Sequence, residues 1–90
     1  MSSLPQSEMQ KFGRKLQALR RRRGFTLKEL AFALGYTAHG HISELEAGKK
    51  TPTVEFVLSA ARLFDVTTDQ LLKDELALPG MVLEGEEAGI

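Results

Sequence analysis

The chain has 90 residues, of which 42% are apolar and 27% charged, enough for one small globular core. It contains no cysteine, which excludes disulfides, thiolate metal sites and a cysteine nucleophile. No apolar run approaches the roughly 18 residues of a membrane span. Residues 1–10 are polar and lack the apolar core of an export signal, so we expect a cytoplasmic protein.

The net charge of zero conceals a division between the two parts of the chain. Residues 1–50 hold ten basic and four acidic side chains, a net charge of +6, whereas residues 51–90 carry −6. The basic part favours a polyanionic partner. The alternative is that charges of both signs interleave on the folded surface.

Three segments have the capping-box pattern, in which Ser or Thr precedes Glu or Gln by three residues at a helix start. They are Ser7–Gln10, Thr26–Glu29 and Thr67–Gln70. Apolar residues recur at intervals of three and four after each start, which indicates helices with one buried face. Pro52 and Thr53 open another helix, and a further one lies between residues 38 and 47.

The chain therefore predicts an all-α, compact five-helix domain over residues 8–78. Residues 1–7 form an N-terminal extension, and residues 79–90 form an acidic C-terminal tail that docks on the domain or on a second subunit. The first helix is predicted from Glu8 to Arg23. The residues expected to face the core of the first three helices are Met9, Phe12, Leu16, Leu19, Leu27, Leu30, Ala31, Leu34, Ile42 and Leu45. Those of the last two are Val54, Val57, Leu58, Ala61, Leu63 or Phe64, Leu71, Leu72 and Leu76.

A tight connection joins the second and third helices. Gly35 can adopt positive φ and end the second helix, and Thr37 can cap the third. Small Ala31 precedes the bend, where the two helices must approach closely. This arrangement predicts a helix-turn-helix over residues 26–46, whose second helix is free to enter a DNA major groove.

Residues 12–72 resemble the Cro/XRE helix-turn-helix family of phage and bacterial repressors. The resemblance is carried, in order, by Phe12-Gly13, Leu16, Leu19-Arg20, Gly24-Phe25-Thr26, Glu29-Leu30-Ala31, Leu34-Gly35, Ile42-Ser43, Leu45-Glu46, Gly48-Lys49, Pro52-Thr53, Val66 and Asp69-Gln70-Leu71-Leu72. It implies a lambda-repressor-like fold that binds double-stranded DNA, with the third helix as the recognition helix.

The resemblance also implies which residues face DNA. The outward positions of the recognition helix are Ala38, His39, Gly40, His41, Ser43 and Glu44. Helix N-termini and the loop after the recognition helix should contact phosphates; their residues are Thr26, Lys28, Thr37, Lys49, Lys50 and Thr51. Glu44 either accepts a hydrogen bond from a cytosine amino group or faces solvent.

Family resemblance also pairs Arg20 with Glu46 as a partly buried ion pair between the first helix and the end of the recognition helix. Two features depart from the family pattern. One extra residue lies between Gly35 and Ile42, and Leu27 stands where the family often has Gln. The two histidines invite a metal interpretation, but residues two apart point to different sides of a helix; we expect no metal and no cofactor.

Phe32 and Phe56 occupy positions that the helical pattern turns outward, which makes them candidates for protein contact. The resemblance places the fourth and fifth helices near a two-fold axis. The predicted dimer interface therefore comprises Phe56, Thr68, Met81, Val82 and Leu83. One such domain buries only about 600–1,000 Å² on DNA, so two copies reading a palindrome would give better specificity.

The sequence thus predicts a sequence-specific DNA-binding transcriptional regulator, a homodimeric repressor that is cytoplasmic and nucleoid-associated when bound. No constellation of residues indicates an enzyme. An antitoxin, or a controller protein of a restriction-modification operon, is an alternative on the same fold. A protein-interaction adaptor that has lost DNA binding is another.

Overall fold

A computed structural model of the chain describes residues 11–78, which form five α-helices. They are α1 (Phe12–Arg22), α2 (Leu27–Ala33), α3 (Gly40–Glu46), α4 (Val54–Phe64) and α5 (Thr68–Leu72). The predicted all-α, five-helix class is confirmed. None of these helices is long and apolar enough to cross a membrane. The predicted cap at Ser7–Gln10 and the predicted tail lie outside the described residues.

Two of the predicted helix starts are complete capping boxes. The Thr26 hydroxyl accepts a hydrogen bond from the Glu29 amide at 3.0 Å, and the Glu29 carboxylate accepts one from the Thr26 amide at 2.8 Å. Thr67 and Gln70 repeat this exchange at 3.0 and 2.9 Å. Each pair satisfies amide groups that a helix start leaves without partners.

The start of α3 was predicted incorrectly. Thr37 does not cap the helix, because α3 begins at Gly40 and the preceding residue, His39, makes no side-chain cap bond. The connection between α2 and α3 runs over residues 34–39. Gly35 has φ +88° there, a conformation that side chains with a Cβ rarely adopt.

The core draws side chains from all five helices, and the prediction for α4 is confirmed in part: Val57, Ala61 and Phe64 are buried as expected, whereas the burial of Phe56 and Ala60 was not predicted. The buried residues of this helix are Phe56, Val57, Ala60, Ala61 and Phe64. Phe56 is only 2% exposed, so its assignment as an outward dimer contact was wrong. Its ring lies edge-on to Phe12, with centroids 6.3 Å apart.

Two residues of α4 that were expected inside are exposed instead. Val54 and Leu58 are 44% and 43% exposed. They lie four residues apart and therefore share one face of the helix. Leu76, after α5, is also exposed rather than buried.

The backbones of α1 and α3 touch at Gly13. A Cβ added to this glycine would lie 2.5 Å from the carbonyl oxygen of Glu46 and 2.7 Å from that of Leu45. Only a residue without a side chain allows this approach. Gly13 therefore sets how closely the end of α3 packs against α1.

Lys15 is a buried cation on the other side of α1. It is 1% exposed, and its Nζ donates to the carbonyl oxygens of Gln70, Lys73 and Leu76 at 2.6, 2.8 and 2.6 Å. These carbonyls lie in and after the last turn of α5, where the helix leaves acceptors unpaired. Lys15 thus fastens the C-terminal part of the domain to α1.

Candidate nucleic-acid interface

Helix α3 lies on the core by one face and exposes the other. Ile42 and Leu45 are fully buried beneath it, whereas Ser43 is exposed. Residues 37–40, which lead into the helix, are also exposed. The exposed stretch is short and polar, and an α-helix of this diameter fits a DNA major groove.

The C-terminal end of α3 is held by an ion pair. Arg20 donates from Nε and a terminal nitrogen to the two carboxylate oxygens of Glu46, at 2.7 and 3.2 Å. A further guanidinium nitrogen donates to the carbonyl of Phe25 at 2.9 Å. The side chains of Arg20 and Glu46 are only 11% and 5% exposed. The pair implied by the family resemblance is therefore present, with two-pronged geometry.

The N-terminal end of α3 is held by an aromatic cluster of Tyr36, His41 and Phe56. The His41 ring lies 5.0 Å from the Tyr36 ring and 5.9 Å from the Phe56 ring, and Tyr36 lies 5.8 Å from Phe56. His41 is half-buried, so its predicted outward orientation is wrong in part. It packs inward because α3 starts at Gly40, which places His41 over α4.

Exposed polar residues border α3 on the side of α2. Lys28 is exposed and lines one cleft together with Ala38 and His39, the two residues before α3. Thr26 is exposed; its hydroxyl accepts the capping bond and keeps its proton for another acceptor. Thr37 is exposed as well.

The loop after α3 exposes two lysines next to the end of that helix. Lys49 and Lys50 are exposed, and Thr51 is half-buried. The Lys50 Nζ lies 3.1 Å from a carboxylate oxygen of Glu44, and both side chains are about half exposed. Such an exposed pair contributes little and separates easily. Glu44 therefore partly neutralises the lysine that sequence reasoning assigned to phosphate.

Two exposed residues, Phe32 and Arg23, have no role in the predicted DNA-facing surface. Phe32 on α2 is 83% exposed, as predicted. Arg23 lies 5.6 Å from the centre of the Phe64 ring and donates to the Leu63 carbonyl at 3.2 Å. Within residues 11–78, no group of three or more His, Asp or Glu side chains is placed to hold a metal ion.

Sequence reasoning missed three structural supports of the site: Gly13, buried Lys15 and the aromatic cluster. Gly13 has no side chain to signal its contact, and a charged residue such as Lys15 is expected on the surface. The cluster had a signal in Tyr36, His41 and Phe56, but it depended on the start of α3 and the face of α4.

Comparisons with known proteins agree with this geometry. Residues 11–74 match the family model described as a helix-turn-helix domain. The HTH-type transcriptional activator BcrR of Enterococcus faecalis is 39% identical over 64 residues, which cover 71% of this chain and 31% of that protein. The chain thus spans about a third of that relative's length.

Two of the similar solved structures are regulators, and this chain matches each of them over most of its length. The restriction-modification controller protein C.AhdI from Aeromonas hydrophila has a TM-score of 0.62 at 27% identity, covering 69% of this chain and 92% of that one. The biofilm regulator SinR, a Bacillus subtilis protein, solved in complex with DNA, has a TM-score of 0.61 at 28% identity, covering 67% and 95%. The chain therefore belongs to the helix-turn-helix family of Cro/XRE-type DNA-binding transcription regulators.

Proposed function

We propose that this protein binds a specific double-stranded DNA site as a homodimer, with α3 in the major groove, and represses transcription in the cytoplasm at the nucleoid. The observation that carries the proposal is the exposure at both ends of α3: Ala38 and His39 before the helix share a cleft with Lys28, and the exposed Lys49 follows the helix in the next loop. Cations near both ends suit the two phosphate backbones that flank a major groove.

Within this proposal, base edges are read from the exposed start and face of α3. His39 and Ser43 are exposed and carry groups that hydrogen-bond to bases. Ala38 and Gly40 are small and allow close approach. Glu44 is the polar residue nearest the end of the exposed face, and its pairing with Lys50 leaves it able to accept from a cytosine amino group.

Phosphate contacts supply the affinity that does not depend on sequence. Thr26, Lys28 and Thr37 serve one strand, and the loop of Lys49, Lys50 and Thr51 serves the other. The basic charge of residues 1–50 raises the rate of encounter with DNA at low salt. The acidic residues of α4 and α5 suit a face directed away from DNA.

Because Phe56 is buried, the proposed dimer interface uses the exposed face of α4 in its place. Val54 and Leu58 are its centre, because both are large, apolar and exposed on one face. Thr68, at the start of α5, is half-buried and stays a proposed contact. Met81, Val82 and Leu83 also stay proposed contacts and lie outside the described residues.

A direct test of the dimer uses sedimentation at several protein concentrations. Leu58→Lys should shift the protein to monomer, because a charge on a buried interface loses its hydration. Ser59→Lys on the exposed surface of the same helix is the matched control. An unchanged sedimentation coefficient in Leu58→Lys would place the interface elsewhere.

DNA binding is tested by selection from a pool of random duplexes, followed by a salt series on the winner. An enriched palindrome with affinity that falls steeply with salt supports a dimeric, sequence-specific regulator. A reporter behind the selected site then decides the direction of regulation. Lower reporter output with the protein present is the result expected of a repressor.

Phe32 favours a second candidate, a protein-interaction adaptor on the same fold, because an aromatic ring 83% exposed is suited to a partner surface. Selection that enriches no sequence, with only weak binding that ignores sequence, would support this candidate. The similarity to C.AhdI keeps a controller role open as a special case of DNA binding. A neighbouring restriction-modification operon would identify that case.

A further inference from the structure

We propose that His41 and Tyr36 are positioning residues that set the sequence preference of α3, and that His41 does not itself read a base. The inference rests on the proposed function. It follows from the aromatic cluster, which is the contact that locates the N-terminal end of the recognition helix over α4.

The cluster gives α3 a fixed end after the connection from α2. Residues 34–39 separate α2 from α3, and α3 has only seven residues. A helix this short does not hold its own direction in water. Tyr36 is tied back to α2 by its amide, which donates to the Ala31 carbonyl at 2.8 Å.

His41 transmits that fixed position to α3. Its ring lies against Tyr36 at 33° and meets the buried ring of Phe56 edge-on at 73°. Both arrangements are favourable for aromatic rings. The His41 ring therefore contacts the domain through Tyr36 and Phe56, while its exposed neighbour His39 stays available to DNA.

The consequence is that His41 acts through the ring rather than through its hydrogen-bonding nitrogens. A shift of about 1 Å at the start of α3 would move the base-contacting groups out of register while leaving the lysines on phosphate. Loss of the ring should thus lower discrimination between sites and leave non-specific affinity unchanged.

Two substitutions of His41 separate the ring from the hydrogen bonds. His41→Phe keeps the ring and removes both nitrogens, whereas His41→Gln keeps hydrogen-bonding groups and removes the ring. The quantity measured is the Kd for a scrambled duplex divided by the Kd for the duplex that the wild type selects. We expect His41→Phe to keep this ratio within about threefold and His41→Gln to lower it by about tenfold.

Tyr36 provides the matched pair on the other side of the stack. Tyr36→Phe should keep the ratio, and Tyr36→Leu should lower it as His41→Gln does. In the free protein, the ring protons of His41 should shift upfield in NMR spectra, and Tyr36→Leu should remove that shift while His39 stays unchanged. This second readout applies to the folded domain without DNA.

The outcomes distinguish the inference from the function on which it rests. A wild type that selects no sequence refutes both. A wild type that selects a site, with a ratio lost in His41→Phe but kept in His41→Gln, shows that His41 reads DNA and overturns the inference. Ratios equal to that of the wild type in all four variants overturn it as well, because the cluster would then have no effect on recognition.

Discussion

Replacing Glu46 with alanine should destabilise the domain and weaken DNA binding together. The substitution leaves the Arg20 guanidinium, whose side chain is 11% exposed, with the Phe25 carbonyl as its remaining described acceptor. Removing one partner of a buried pair costs about 3–5 kcal/mol. Water reaches this pair in part, so we expect a loss of about 2 kcal/mol in the free energy of unfolding.

That loss is large for a domain of this size. A change of 1 kcal/mol moves the melting temperature of a 60–100-residue domain by about 4–8 °C. The expected fall for Glu46→Ala is therefore about 8–16 °C, measured by circular dichroism or calorimetry. DNA binding, measured by anisotropy well below the lower melting temperature, should weaken because the end of α3 has lost its anchor to α1.

The chain offers a matched control in its exposed ion pair. Glu44→Ala removes the same charge from a pair whose side chains are 47% and 51% exposed, so it should cost about 0.5 kcal/mol or less. Its melting temperature should fall by no more than about 4 °C. Equal melting temperatures for Glu46→Ala and wild type would refute the structural role of the Arg20 pair.

Three further substitutions test the supports of the fold. Gly13→Ala forces its Cβ against two backbone carbonyls of α3, so it should lower the melting temperature and shift amide signals along α3 in NMR spectra; unchanged α3 signals would contradict the close approach. Lys15→Met removes the Nζ donor from three carbonyls near the end of α5, of which only that of Lys73 keeps another donor among the described residues, the Leu76 amide; it should cost about 1–3 kcal/mol in urea unfolding, with faster amide exchange in α5 than in α2. Thr67→Ala removes a capping bond and should cost about 1 kcal/mol in the same assay, whereas Thr67→Ser should not.

Local signals made much of the fold predictable. The capping boxes at Thr26 and Thr67 use residues three positions apart, so the sequence alone contains both partners. The buried residues of α1, α2 and α3 were also predictable, because each helix has one clearly apolar face. Gly35 also indicated the end of α2 by its residue type, because glycine readily adopts the positive φ of a helix end.

The face of α4 was only partly predictable from its own sequence, since Val57, Ala61 and Phe64 were expected inside but Phe56 was not. The helix carries apolar residues on more than one side. Helical spacing alone allows either Val54 or Phe56 to start the buried row of apolar residues. Which row is buried depends on Phe12 and Tyr36, to which Phe56 lies close from different parts of the chain. Tertiary packing therefore decides which face of α4 is buried, and helical periodicity alone does not predict that face.

The candidate site divides in the same way. The exposure of Lys28, Lys49 and Ser43 followed from the helical pattern and the loop after α3. The partner of Arg20 came from family resemblance, because Glu46 lies 26 residues away. His41 was misplaced because its side of the helix depends on where α3 begins, and α3 begins at Gly40 rather than near residue 38.

These features together explain how a seven-residue helix can present a defined surface. The buried pair Ile42 and Leu45 holds α3 against the core, but two apolar contacts alone would let a short helix rock about its middle. The Glu46 carboxylate fixes one end to α1, and the His41 ring fixes the other over α4. Because the two fixed ends lie on different helices of the domain, we expect recognition to depend on residues outside the proposed DNA-facing surface. Substitutions in α1 or α4 that move either anchor should therefore change sequence preference with every DNA-facing side chain intact.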